Sequence, residues 1–332
     1  ELCGELMKPL KAAIGALSPD VFSLDHAAEV ARIADFLKQS TRGLNRRGVV
    51  VGVSGGIDSA VCAAAAVHAL GPKRVFGLLM PERDMTDDAH QRGERLCQKL
   101  QIPYAVESID ESLQAIGCYA RRDDAIRRIV PEYGNEWRHK ITISHAENDT
   151  IAFFNLVTQN PRGELTTRRM PLDVYLTVVA ATNFKQRIRK NLEYYHADRL
   201  NYAVIGTPNK LEYDLGFFVR GGDGLADVKP IAHLYKTQVY ALAETLGVTE
   251  EIRRQTPSTN TYSLPQTQEE FYYALDYKRA DLALYALLND VDADVAGHAL
   301  GLTPAQIAHV YRDFNGKRRA AARGLADALT ID

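Results

Sequence analysis

The residues best placed to do chemistry stand in the stretch VVVGVSGGIDSA, positions 49–60. A β-branched run halts at Gly55 and Gly56, which let the backbone turn tightly and approach a ligand without Cβ obstruction. The hydroxyls of Ser54 and Ser59 can donate hydrogen bonds, and the amides from Ile57 onward open an alanine-rich helix whose positive end favours an anion. Asp58 would repel a bare phosphate, but a magnesium ion between carboxylate and phosphate reverses that sign. The pattern therefore suits a metal-chelated polyphosphate. It lacks the lysine of G-x-x-x-x-G-K-[ST], and Gly52, Gly55 and Gly56 are misspaced for G-x-G-x-x-G. Two adjacent glycines alone read equally well as a plain strand-to-helix turn; the flanking serines and the acid weigh toward a phosphate loop.

SGGIDS resembles the pyrophosphate loop S-G-G-x-D-S of the N-type ATP pyrophosphatases, which include NAD, GMP and asparagine synthetases. A second stretch narrows the resemblance. Residues 206–238, GTPNKLEYDLGFFVRGGDGLADVKPIAHLYKTQ, are similar to the NAD synthetase signature G-T-x-x-x-x-E-x-x-x-G-[FY]-x-[ST]-[KR]-x-G-D-x-x-x-D-x-x-P, followed by a leucine and a lysine. LLMPERDMTDDAHQRGERL resembles the adenine-side loop and helix of that family. TNFKQRIR (182–189) resembles its G-N-x-K-A-R-x-R helix, and TPST (256–259) its P-[TS]-A loop. These matches keep family order through most of 25–320.

The resemblance implies a role for each matching position. ATP would lie on Ser54, Gly55, Gly56, Ile57, Asp58, Ser59 and Met80, with Thr207, Lys236 and Ser258 at its phosphates. Asp58 and Glu212 would ligate Mg2+, since two carboxylates suit a hard cation that also holds phosphate oxygens. Lys236 would neutralise charge as the α-phosphate is attacked. Asp223 would position ammonia and accept its proton, completing a catalytic set with Asp58 and Lys236. Arg187, Arg220, Asp227 and Lys317 would hold the dinucleotide acid, the two arginines by forked hydrogen bonds. Viewed singly, Glu212 is an exposed helix acid, Lys236 a surface lysine and Asp223 a turn residue.

The implied reaction is the ATP-dependent amidation of deamido-NAD to NAD through an acyl-adenylate, releasing AMP and pyrophosphate. No side chain need act as a covalent nucleophile, so Cys62 and Cys97 are read as core residues. The short stretch before residue 25 does not fit the nitrilase-like glutaminase domain of glutamine-dependent relatives, so ammonia comes free or from a separate glutaminase. The resemblance also implies a homodimer with the dinucleotide site at the subunit interface. Arg220 replaces the lysine of F-x-T-K-Y-G-D, Gly316-Lys317-Arg318 replaces H-K-R, and Pro257-Ser258-Thr259-Asn260 replaces P-T-A-D. These departures leave adenylation in place and bear on which acid is held. An amide ligase of the same fold acting on a different nucleotide acid stands as the alternative, and an inert nucleotide-binding subunit of an amidotransferase complex as a second.

Positioning these groups requires a parallel sheet. An amphipathic helix is predicted over 25–38, with Val30, Ile33, Ala34 and Leu37 on one face. A buried strand at 48–53, a helix at 58–70 ended by Gly71 and Pro72, a strand at 74–80, a helix at 89–100 and a strand at 104–109 follow. That alternation argues for an α/β fold, a parallel sheet with helices on both faces of the adenine nucleotide α-hydrolase-like type. Residues 119–170 read as an inserted lobe or a mobile loop. A long helix over 171–200, a strand at 203–206 and a helix at 235–246 precede a helical C-terminal segment, 265–330. There Thr303-Pro304 caps a helix through Phe314. The whole, 1–332, is expected to form a single domain.

Composition fits this picture. Of 332 residues, 46% are hydrophobic and 25% charged, and the net charge of −2 gives no field that draws nucleic acid or anionic lipid. The basic clusters are short and interrupted by acids. Cys3, Cys62, Cys97 and Cys118 show no C-x-x-C pairing, as expected of reduced cysteines in the cytoplasm. The longest apolar run, 60–70, contains His68 and is too short to span a bilayer.

Overall fold

The computed structural model describes residues 17–85, 87–145, 152–257 and 261–330. Among these, the strands β1 (Val49–Gly52), β2 (Val75–Leu79), β3 (Tyr104–Val106) and β7 (Ala203–Ile205) form a parallel sheet in the order β3-β2-β1-β7. Val49, Val50 and Val51 are fully buried. A strand covered on both faces must be apolar at every position, which is why β1 reads as an unbroken β-branched run.

The period of two then divides the core. Val49, Val51 and Val53 point into one cluster, with Ile33, Leu37, Ala60, Val61, Val239 and Leu242. Those partners lie on α1 (His26–Gly43), α2 (Ile57–Leu70) and α8 (Lys236–Thr245). Val50, Phe76 and Leu78 point the other way, against Ile109, Leu113, Cys118, Ala197 and Val204. This second layer comprises α4 (Asp110–Ala115), α5 (Cys118–Arg127) and α6 (Leu172–Leu200). Between β2 and β3 runs α3 (Asp87–Lys99). Most observed bounds lie close to the predicted ones because their punctuation is local, whereas α1 runs five residues past its predicted end at 38 and β3 stops at Val106, short of 109. Asp25 caps α1 by accepting from the Ala28 N–H (3.0 Å), and Gly71 ends α2 at φ +80°.

Residues 118–169 hold α5 and an antiparallel sheet of β4 (Arg138–His145), β5 (Ala152–Gln159) and β6 (Leu165–Arg169); residues 146–151 lie outside the described residues. The second hairpin turns at Asn160, whose Oδ1 accepts from the Arg162 and Glu164 N–H groups, both at 3.0 Å. Ile126, Val130, Tyr133, Ile141 and Leu156 close a separate apolar cluster with Val174 and Val178 of α6 and with Tyr262. This segment, called the lobe, therefore packs through an apolar cluster that it shares with α6 and Tyr262.

The C-terminal part comprises α7 (Lys210–Leu215), α8, α9 (Glu250–Arg253), α10 (Tyr277–Leu288), α11 (Ala293–Leu300) and α12 (Pro304–Leu325). Thr303 and Gln306 form a capping box at the start of α12, which runs well past Phe314. Leu211 and Leu215 of α7 pack with Leu284, Ile307 and Phe314, joining α7 to α10 and α12. Among the described residues no helix is long and apolar enough to cross a membrane.

Candidate active site

The site forms where β1, β2 and β7 end, the crevice beyond the carboxyl ends of parallel strands. At Gly55 the chain adopts φ +77°, and a Cβ there would stand 2.1 Å from the carbonyl oxygen of Ala89. Glycine is needed on both counts. The two serines lock the turn: Ser54 Oγ lies 3.1 Å from Ser59 Oγ, Ser59 Oγ donates to the Gly56 carbonyl (3.1 Å), and the Gly56 N–H donates to Ser54 Oγ (3.3 Å). Gly56 is the N-cap of α2, so the helix opens toward the cavity with no side chain closing it.

Three segments distant in sequence converge on this opening. Asp58, in the first turn of α2, accepts from Asn209 Nδ2 (3.0 Å) through Oδ1 and from Lys236 Nζ through Oδ2. Asn209 also caps α7 in a reciprocal box: its Oδ1 accepts from the Glu212 N–H (3.1 Å), and Glu212 Oε2 accepts from the Asn209 N–H (3.2 Å). Glu212 Oε1 accepts from Gln268 Nε2 (2.8 Å) and stands 3.8 Å from Lys236 Nζ. Lys236 itself is 1% exposed. Its position is set by Asp281 of α10, which accepts from the Lys236 N–H (3.2 Å), the Thr237 N–H (2.7 Å) and Thr237 Oγ1 (2.8 Å).

Electrostatics follow from this convergence. Burial, reinforced by the charge of Asp58, pushes the Glu212 carboxyl up to about 7. Burial opposes the charge on Lys236, but the attraction of Asp58 and Glu212 outweighs it, and its ammonium is held more tightly than usual. Asp223 accepts from the Val219 N–H (2.7 Å), yet burial still raises its carboxyl above the ordinary range. Burial likewise pushes the thiols of Cys62 and Cys97 up, the latter to about 12, as befits core residues.

The cavity has a volume of about 240 Å³, and Ser54, Gly56, Ile57, Asp58, Ser59, Met80, Thr207, Glu212, Asp223 and Lys236 all line it. Gly55 shapes the loop behind them. Ser258 lies outside the described residues, although its neighbours Thr256 and Pro257 line the cavity. The four positions assigned to the dinucleotide acid do not line it. Arg187 and Arg220 are exposed and adjacent, with Arg187 Nε donating to the Arg220 carbonyl (3.2 Å). Asp227 accepts from the Val204 N–H (2.7 Å) and Tyr194 Oη (3.2 Å), and Lys317 Nζ donates to the Tyr272 carbonyl and Asp313 Oδ2, both at 2.6 Å.

Several lining residues carried no individual expectation. Arg92, Arg189, Lys190, Glu193 and Gln268 all face the cavity, and Asn209 stands behind it as the joint between Asp58 and Glu212. Asn209 was findable, because N-x-x-E ahead of an apolar turn is a capping-box pattern. Gln268 gave no local signal. The lining cations Arg92, Arg189, Lys190 and Lys236 are matched by the acids Asp58, Glu193, Glu212 and Asp223. A polyphosphate entering this balanced site would need added positive charge, and the Asp58 and Glu212 carboxylates could offer oxygens to a divalent ion that accompanied it.

The profile of the NAD synthase family matches residues 29–149 and 157–317. An NH(3)-dependent NAD(+) synthetase of Rhizobium meliloti is 54% identical over 304 residues, covering 91% of each chain. Among solved structures, an NH3-dependent NAD synthetase from Campylobacter jejuni, in complex with the nitrate ion, aligns with a TM-score of 0.60 and 25% identity, over 93% of this chain and all of that one. An NMN synthetase from Francisella tularensis shares the fold, with a TM-score of 0.65 and 22% identity over 93% of this chain and all of that one. The glycine loop, the buried lysine and the paired carboxylates thus sit in a chain that, by profile and by identity, belongs to the NAD synthase family.

Proposed function

We propose that this protein carries out the ATP-dependent amidation of deamido-NAD to NAD, with ammonia as nitrogen donor. ATP enters as co-substrate and leaves as AMP and pyrophosphate. The observation that carries this reading is the meeting of Asp58, Glu212 and Lys236 at the mouth of a phosphate loop whose helix end is left open.

The chemistry divides into two displacements. A nicotinate carboxylate oxygen bonds to the α-phosphorus of ATP as the bond from that phosphorus to the bridging oxygen breaks, and pyrophosphate departs. Ammonia then bonds to the acyl carbon, the carbon–oxygen bond to AMP breaks, and the nitrogen sheds a proton. Adenylation is needed because a free carboxylate is a poor electrophile. In this reading Ser54, Gly55, Gly56, Ile57 and Ser59 hold the outer phosphates, with Met80, Thr207 and Ser258 completing the ATP contacts. Lys236 meets the charge that develops at the α-phosphate, and its burial makes that interaction strong. Asp223 takes the proton from nitrogen, a task favoured by a carboxyl that burial raises above its ordinary range. Mg2+ on Asp58 and Glu212 would neutralise phosphate charge.

Arg187, Arg220, Asp227 and Lys317 are proposed to hold the dinucleotide acid at the interface of a homodimer. The exposure of Arg187 and Arg220, outside the cavity, supports a surface completed by a second copy. A cytoplasmic location is proposed from the free, buried Cys62, Cys97 and Cys118. The test is turnover of purified protein with ATP and deamido-NAD, supplied with ammonium or with glutamine, with products resolved. NAD, AMP and pyrophosphate from ammonium are expected. ADP and orthophosphate, or turnover only with a different nucleotide acid, would overturn the reading.

A further inference from the structure

The wall of the cavity is built from two segments far apart in sequence. Met80 and Met85 line it from the loop after β2, and Thr256, Pro257 and Gln268 line it from the connection between α9 and α10. Lys185 of α6 stands between the two segments, with its side chain 2% exposed. Its ammonium donates to Glu82 Oε1 (3.0 Å), Asp84 Oδ2 (2.6 Å) and the Thr261 carbonyl (2.9 Å), so each of its three protons has an acceptor. Two of those acceptors lie in the loop between Met80 and Met85, and the third lies seven residues before Gln268.

The loop after β2 has other restraints. Glu82 Oε2 accepts from Tyr119 Oη (3.0 Å) and the Asp84 N–H (3.1 Å), and Asp84 Oδ2 accepts from Arg122 (2.6 Å). The Thr261 side is gripped from its far end by β4 of the lobe. The Leu264 N–H donates to the His139 carbonyl (3.0 Å), the His139 N–H to Ser263 Oγ (2.9 Å), and Arg138 Nε to the Ser263 carbonyl (2.8 Å).

We propose that Lys185 is a positioning residue for ATP: it ties the loop carrying Met80 and Met85 to the segment that runs from Thr261 to the lining residue Gln268, and β4 of the lobe braces that segment from behind. This gives the lobe a task in the proposed reaction, that of holding the segment that carries Gln268 at its working distance. The inference rests on ATP occupying the cavity.

The test compares Lys185→Met and Lys185→Arg with the unmodified full-length chain by steady-state kinetics, titration with α,β-methylene ATP, and amide hydrogen exchange. Loss of a charge-assisted bond to the Thr261 carbonyl should raise the KM for ATP and weaken binding of the analogue by about tenfold. The KM for deamido-NAD should stay within about twofold, and Lys185→Arg should recover part of the loss, a split that general destabilisation would not give. Exchange at 261–266 should speed up in the ligand-free variant while 81–85, still held by Tyr119 and Arg122, changes less. Equal rises in both KM values, or unchanged exchange at 261–266, would overturn the proposal. The exchange comparison needs no nucleotide, so it separates failure of the tie from failure of the ATP assignment. If Lys185→Met does not fold, Ser263→Ala removes a lobe contact without stranding buried charge. It should raise the KM for ATP about threefold, and an unchanged KM there would count against the proposal.

Discussion

Replacing Glu212 with Gln should stabilise the ligand-free protein while removing its activity. The carboxyl is buried, at 12% side-chain exposure, and burial with the charge of Asp58 raises it from 4.5 to about 7. The folded value lies above the unfolded one, so below pH 4.5 both states are protonated and the group costs the fold nothing. As pH rises through this window the unfolded chain ionises first, and above 7 the fold carries the full penalty of about 3 kcal/mol. Gln removes that ionisation. It keeps the shape but must present an amide to either Gln268 Nε2 or the Asn209 N–H, which gives back about 1 kcal/mol. The net gain of about 2 kcal/mol at pH 8 corresponds to a Tm about 3 °C higher. At pH 5 the penalty shrinks to about 1 kcal/mol and the gain should vanish. Thermal unfolding of both proteins at the two pH values, with and without magnesium and α,β-methylene ATP, is the assay. The variant should gain no protection from the metal–nucleotide pair. A Tm at pH 8 no higher than that of the unmodified protein would refute the claim that the ionised Glu212 carboxylate is a net cost to the fold there.

Lys236→Ala leaves Asp58 and Glu212 facing each other without their shared cation, and should slow pyrophosphate release in a single turnover by about 10²- to 10³-fold. Affinity for deamido-NAD should change far less, and an unchanged rate would contradict the assigned role. Gly55→Ala should cost at least about 1–2 kcal/mol from left-handed backbone alone, beyond the clash with the Ala89 carbonyl, and should abolish binding of the ATP analogue. Gly56→Ala, whose Cβ meets only Ser54 Oγ at 3.4 Å, should be the milder change by both thermal unfolding and titration. Asp281→Ala strips the acceptors from the Lys236 and Thr237 amides at the start of α8. It should lower stability by about 2–3 kcal/mol, measured by urea denaturation, and reduce turnover through displacement of Lys236.

The parts legible in the sequence are those governed by neighbours in the chain. Asp25, Gly71 and the Thr303-Pro304 pair mark helix ends because capping is decided within a few residues. The run at 49–51 marks a buried strand because burial on both faces forbids polar side chains. SGGIDS announced a tight strand-to-helix turn for the same reason, since its glycines, its hydroxyl lock and its helix end are all local. Strands β4 and β5 were harder: RHKITISH alternates, but its apolar positions find their partners in α6 and Tyr262, which the local pattern does not reveal.

By itself, the sequence determined the α/β alternation, the glycine turn that opens α2 and, through residues 206–238, the family resemblance. Only the tertiary structure decided that Asp58, Asn209, Glu212 and Lys236 share one buried point, since the residues meet through a parallel sheet whose crossovers bring distant strand ends together. It also decided that Lys236 and Lys185, unremarkable on a surface, are buried cations with every charge around them accounted for. A side chain's type is written in the chain, but its solvation and its counter-charges exist only once the fold has closed around it.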